Sequence, residues 1–142
     1  MNTVRISREF TFEAAHLLEG HDGACKNLHG HSYKLIVTLK GKPLDDSSSP
    51  KHGMVMDFKQ MGDLVKHEVV DKLDHALICL PHQFIEHQEK KYYTTYQPTC
   101  ENLIIDIALK IKTVLPKNIT LAKLLLHETE KNYCEWYAED NL

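Results

Sequence analysis

From Val4 to Ala15, Ile6, Phe10, Phe12 and Ala14 recur at even positions. An extended backbone sends alternate side chains to opposite faces, so this pattern predicts a strand with one apolar face. His16 continues the same parity and extends that face if no bulge intervenes. Glu19 to Asn27, with Gly20, Asp22 and Gly23, reads as a loop. A second strand is predicted over about 31–40, where Tyr33, Leu35, Val37 and Leu39 alternate with Lys34, Thr38 and Lys40. Gly41 to Gly53 holds Pro43, Asp45, Asp46, three serines and Pro50, the composition of a hairpin tip. Met54-Val55-Met56 then reads as a short returning strand.

Beyond it the period changes. Phe58, Met61, Leu64, Val65, Val69 and Leu73 keep helical spacing, with Asp57 placed as N-cap. Pro81 sits in a loop that runs to Gln97. Thr99 caps a second helix whose buried stripe is Leu103, Ile104, Ile107, Ala108 and Ile111, ending at Pro116. Ile119 to Glu128 and Tyr133 to Ala138 read as strands, with Lys131-Asn132 in the turn between them. The order is two strands, a helix pair, then two strands. The simplest architecture is α+β, a four-stranded antiparallel sheet with two helices on one face. Residues 1–142 form a single domain on this reading. So small a sheet leaves edges exposed, and pairing between subunits is expected.

Composition narrows the function class. The net charge of −3 lacks the basic footprint of a nucleic-acid binder. No apolar run approaches the roughly 20 residues of a membrane-spanning helix, and the chain opens directly into a strand pattern, so a cytoplasmic location is expected. The four cysteines, Cys25, Cys79, Cys100 and Cys134, are scattered without a CxxC pair, which does not suggest a disulfide framework.

The sharpest local signal is His29-Gly30-His31. On a strand, residues two apart face the same side, so two imidazoles can share one cation. A catalytic zinc needs three protein ligands and an open position. His16, at the end of an apolar strand face, is the best third ligand. By itself an HxH tripeptide also occurs without a metal, and a histidine at a strand end also serves as a hydrogen-bonded structural residue. The surrounding residues separate these readings.

Those residues are Phe12-Glu13-Ala14-Ala15-His16, Cys25-Lys26-Asn27-Leu28-His29-Gly30-His31, Gly53-Met54-Val55-Met56-Asp57-Phe58, Leu73-Asp74-His75, Pro98-Thr99-Cys100-Glu101-Asn102 and Glu128-Thr129-Glu130. In order and spacing they resemble the 6-pyruvoyl- and 6-carboxy-tetrahydropterin synthase family over nearly the whole chain. The resemblance implies a tunnelling fold (T-fold) whose sheets join into a β-barrel. It also implies a homohexamer built as a dimer of trimers, with active sites at subunit interfaces. The implied substrate is 7,8-dihydroneopterin triphosphate, a reduced pterin, and the implied cofactor is Zn2+ on His16, His29 and His31.

Under the same resemblance Cys25 is the general base. Asp74 and His75 form a second acid–base element, supplied in the family by a neighbouring subunit. Glu128 anchors the pterin, because a carboxylate can accept two parallel N–H donors from its planar edge. Thr99 and Glu101 border the pocket as well as starting a helix. Three residues separate Cys25 from His29, as in bacterial 6-carboxy enzymes of queuosine and 7-deazapurine synthesis; the pyruvoyl enzymes carry a longer insertion. The alternatives are a pyruvoyl synthase using the same residues and a non-catalytic pterin-binding T-fold protein. The stretch 76–97 is longer than in compact members.

Overall fold

The structure is a computed structural model and describes residues 2–83 and 85–142. Its centre is the antiparallel pair β1 (Val4–His16) and β2 (His29–Gly41), in unbroken register from Val4 opposite Gly41 to His16 opposite His29. The alternation dictates that register. Phe10 and Phe12 lie opposite Leu35 and Tyr33, so a slip by one residue would turn every buried ring to the other face. Phe12 and Tyr33 stack with centroids 4.9 Å apart.

Beyond β2 the sheet continues antiparallel through β5 (Thr120–His127) and β6 (Tyr133–Tyr137). Two helical segments cover one face. The first runs through α1 (Phe58–Val65), a π-helical turn at Lys66–Val70 and α2 (Asp71–Leu73). The wider turn buries Val69 and Val70 in succession, which a regular helix would have set about 100° apart. The second is α3 (Cys100–Val114). Met61, Val65, Val69 and Leu73 from the first segment and Leu103, Ile107 and Ile111 from α3 meet Phe12, Leu35, Val37, Leu124 and Leu126 in one core. Each such side chain contributes roughly 1.5–3 kcal/mol on burial. Both expected caps form: Asp57 accepts from the Lys59 N–H at 2.8 Å, and Thr99 Oγ1 from the Asn102 N–H at 3.2 Å. No helix among the described residues is long and apolar enough to cross a membrane.

The structure departs from the sequence reading at three places. The sheet has six strands rather than four, in the order β4-β3-β1-β2-β5-β6. The added pair, β3 (Ala76–Cys79) and β4 (Lys91–Tyr93), lies in the stretch read as a loop and runs parallel to β1. Ala76, Leu77, Ile78 and Cys79 are all buried, so they show no alternation to mark a strand. Met54-Val55-Met56 is not a strand. The Leu44 N–H donates to the Met54 carbonyl and the Gly53 N–H to the Leu44 carbonyl, both at 2.9 Å, and no ladder follows. Gly53, at φ +84, makes that turn in a region few side chains tolerate. Lastly, β2 begins at His29, two residues earlier than expected.

The long 76–97 stretch is tied to α3. Tyr92 Oη donates to Asp106 Oδ2 at 2.7 Å and Tyr96 Oη to the same oxygen at 2.5 Å, while Lys110 Nζ stands 3.9 Å from Asp106 Oδ1. Burial and the neighbouring carboxylate push both phenols well above their usual range. Asp106→Ala leaves two half-buried hydroxyls unpaired. A loss of about 2 kcal/mol in urea unfolding is expected, against about 1 kcal/mol for Tyr96→Phe, which removes only one bond. Equal losses would refute the shared-acceptor account.

Candidate metal centre and adjoining cavity

Three histidines meet where β1 ends and β2 begins. His16 and His29 are direct cross-strand partners, and His31 lies opposite Ala14, two residues along on the same face. The period of two in both strands therefore delivers three imidazoles to one point. His16 Nε2 is 3.0 Å from His29 Nε2 and 3.1 Å from His31 Nε2, and the three possible donor atoms lie within 4.8 Å of one another.

The other ring nitrogens fix what those atoms can be. His16 Nδ1 is 2.7 Å from the Pro98 carbonyl, and His29 Nδ1 is 2.7 Å from the Asn27 carbonyl. A carbonyl only accepts, so each Nδ1 carries the hydrogen and each Nε2 presents a bare lone pair when the ring is neutral. Two lone pairs at 3.0 Å repel unless a cation lies between them. A proton is disfavoured. His16 is 1% exposed, and burial lowers its pKa despite the Pro98 bond and the charge of Glu128; burial lowers that of His31 too. The donor set thus fits a metal. Donors around a tetrahedral ion with bonds of ~2 Å stand about 3.3 Å apart, close to the two distances from His16 Nε2. The backbone carbonyls holding the outer nitrogens are the support such a site requires.

Glu128 follows directly on β5, and its Oε1 lies 3.6 Å from His31 Nε2. It lines a cavity of about 510 Å³ together with Thr99, Cys100, Glu101, Tyr133 and Cys134. Glu130 is exposed in the turn. Thr99, Glu101 and Glu128 are therefore brought together. So, unexpectedly, are Cys100 and Cys134, two of the cysteines that are scattered along the sequence. No local signal pairs residues 34 apart on a helix and a strand. Tyr33 is also present: its buried hydroxyl has no hydrogen-bond partner among the described residues. Burial first, then the charges of Glu128, Cys100 and Cys134, push its pKa well up.

Cys25 sits half-buried on the 3-10 turn Ala24–Lys26, four residues before His29, and its carbonyl accepts from the Leu18 N–H at 2.8 Å. Asp74 and His75 lie elsewhere, beside β1. Asp74 Oδ1 accepts from the Glu13 N–H at 2.9 Å and stands 3.1 Å from His75 Nδ1. The Glu13 bond first, then His75, hold the Asp74 carboxyl below the usual carboxylate range. His75 adopts φ +62, a left-handed backbone uncommon for a side-chain-bearing residue and frequent at functional positions. Its exposed ring lines a groove of about 310 Å³ with Glu13, Gly30, His31 and Ser32. His31 stands between the two spaces, with Nε2 towards His16 and Glu128 and another part of the residue on the His75 groove.

The sheet, the helices on one face and the strand-borne histidines together define a tunnelling-fold protein of the tetrahydropterin synthase class. The family pattern of 6-pyruvoyl tetrahydropterin synthase matches residues 5–139, and the chain belongs to that family. A 6-carboxy-5,6,7,8-tetrahydropterin synthase of Haemophilus influenzae is 35% identical over 141 residues, spanning 93% of this chain and 97% of the relative. The human 6-pyruvoyl tetrahydrobiopterin synthase is 26% identical over 95% of this chain and 92% of its own length. The structure of the Caenorhabditis elegans 6-pyruvoyl tetrahydropterin synthase superposes with a TM-score of 0.74 at 29% identity, over 96% of each chain.

The lowered pKa of buried His16 has a stability consequence of definite sign. Below the ordinary histidine value of 6.5 the unfolded chain takes up a proton that folded His16 resists. The stability present above that value is therefore lost as pH falls from there towards the folded pKa. Metal-stripped protein is expected to show a falling urea midpoint between about pH 7.5 and about pH 5.5, with a shallower fall in His16→Gln. An equal pH slope in the two proteins would contradict this account.

Proposed function

We propose that the chain is a zinc-dependent 6-carboxy-5,6,7,8-tetrahydropterin synthase. It would convert 7,8-dihydroneopterin triphosphate to 6-carboxytetrahydropterin, acetaldehyde and triphosphate, as a step of queuosine and 7-deazapurine synthesis. The observation that carries the proposal is the convergence of three histidine nitrogens, two of them with their lone pairs bared by backbone carbonyls, beside a carboxylate-lined cavity. The names of the relatives and the short Cys25-to-His29 spacing support the carboxy branch.

His16, His29 and His31 hold the zinc. When bound, it supplies a Lewis acid that lowers the pKa of the substrate's side-chain hydroxyls. Glu128 anchors the pterin by accepting two parallel N–H bonds from the ring's 2-amino group and N3, a pairing that fixes both position and tilt. Thr99 and Glu101, at the first turn of α3, border the bound ring. Cys25 takes a proton from carbon as general base. His75 serves the opposite side. Its Nδ1 faces Asp74, which leaves Nε2 to exchange protons with the substrate.

Asp74 and His75 reach a given site from a neighbouring copy of the chain, in a homohexamer of stacked trimers whose sheets join into a barrel. The substrate and its products are small molecules, in keeping with a cytoplasmic enzyme. A second reading, pyruvoyl synthesis by triphosphate elimination, draws support from the nematode and human relatives. Incubating zinc-loaded protein with dihydroneopterin triphosphate and weighing the product separates the two, because only the carboxy reaction removes two side-chain carbons. A non-catalytic pterin binder would leave the substrate unchanged.

Two substitutions test the assigned roles. Cys25→Ala should lower kcat by at least about 100-fold while one zinc per chain remains bound. Full turnover in that variant would remove the general base. Glu128→Gln keeps the shape but loses the charge, and KM should rise about 10- to 100-fold. An unchanged KM would place the pterin elsewhere.

A further inference from the structure

Cys100 and Cys134 have no part in the proposed chemistry, yet they are in contact. Their sulfurs lie 3.1 Å apart, about 1 Å longer than a disulfide bond. Cys100 is the first residue of α3 and Cys134 the second of β6, so small side-chain rotations separate the two thiols from a covalent tie between helix and strand. Both remain free thiols. Both also line the 510 Å³ cavity that holds Thr99, Glu101 and Glu128, through which a small oxidant can reach them.

From this geometry we propose that Cys100 and Cys134 form a redox-modification site, which a two-electron oxidant of the peroxide class closes into an intrachain disulfide in the cavity wall. The two sulfurs are not equivalent. Cys134 is half-buried, and the thiol hydrogen bond from Cys100 draws its pKa down; Cys100 is more deeply buried, and the same contact pushes its pKa well up. Glu101 and Glu128 face both sulfurs and oppose the thiolate. Cys134 is therefore the attacking sulfur. Its thiolate takes one oxygen of the peroxide, the O–O bond breaks, and hydroxide leaves, giving a sulfenic acid. The Cys100 sulfur then displaces that oxygen as water, with the Cys100 proton completing it. The two sulfurs together lose two electrons, and the peroxide accepts them.

The bond joins the first turn of α3, which carries Thr99 and Glu101, to the strand that follows Glu128. Oxidation therefore reshapes the cavity, and pterin affinity falls while the bond is intact. This consequence rests on the proposed function; the bond itself does not.

The test treats the full-length, zinc-loaded protein with hydrogen peroxide, blocks remaining thiols with iodoacetamide after denaturation, and maps tryptic peptides by mass spectrometry. The expected product is the 92–110 peptide linked to the 132–142 peptide, released by dithiothreitol, with Cys79 recovered alkylated. Recovery of both Cys100 and Cys134 as alkylated or singly over-oxidised residues overturns the proposal. Neopterin binding, followed by its own fluorescence, supplies the second readout. It avoids turnover, which oxidation of Cys25 would stop on its own. The oxidised protein should bind neopterin at least about fivefold more weakly, with recovery on reduction, and Cys134→Ser should not respond to peroxide. A mapped bond with unchanged neopterin affinity overturns the effect on the cavity. If the reduced protein binds no neopterin, the pterin assignment fails while the mapped bond still decides the inference.

Discussion

The lone pairs of His16 Nε2 and His29 Nε2, 3.0 Å apart with the His31 ring beside them, repel each other when both rings are neutral. The hydrogens on His16 Nδ1 and His29 Nδ1 are committed to backbone carbonyls, so neither inner nitrogen has a proton to share. The rest of the molecule maintains this contact. The β1–β2 register, fixed by Phe10 and Phe12 against Leu35 and Tyr33, sets His16 opposite His29. A shift of one residue would send His16 to the other face and dissolve the cluster.

The second constraint comes from α3. Pro98, immediately before its cap, supplies the carbonyl that orients His16, while Thr99 and Glu101 in its first turn line the cavity. Gln97 extends the connection. Its side chain donates to the Glu19 carbonyl at 2.7 Å and accepts from the Glu19 N–H at 3.3 Å, holding the loop that leads to Cys25. One short segment, 97–101, therefore touches His16, the cavity wall and the loop of the proposed base. Movement of α3 would be felt by all three, which gives a thiol pair at its first residue a physical route to affect the site.

Glu128 links the two regions electrostatically. Its charge favours protonated His16 and His31, and burial outweighs it, so both rings are held on the neutral, ligating side. The added β3 and β4 extend the sheet beyond β1 and carry the chain from His75 to the Tyr92–Asp106 contact with α3. The 76–97 stretch is thus anchored to the helix that borders the cavity.

The sequence by itself determined the elements whose residues alternate or repeat. β1, β5, β6, α3 and the helical run from Phe58 to Leu73 carry a period of two or of 3.6, and a period is a local property. The same parity aligned His16 with Phe10 and Phe12, and the HxH spacing put His29 and His31 on one side, so the three-histidine cluster could be read before folding. Only the tertiary structure decided what depends on distant neighbours. β3 is buried on both faces and shows no alternation, β4 is only three residues long, and Met54-Val55-Met56 has no partner strand to complete it. The tautomers of His16 and His29 rest on carbonyls chosen by chain packing. The contact between Cys100 and Cys134 exists because α3 lies across β6, and no spacing along the chain encodes a distance between a helix and a strand.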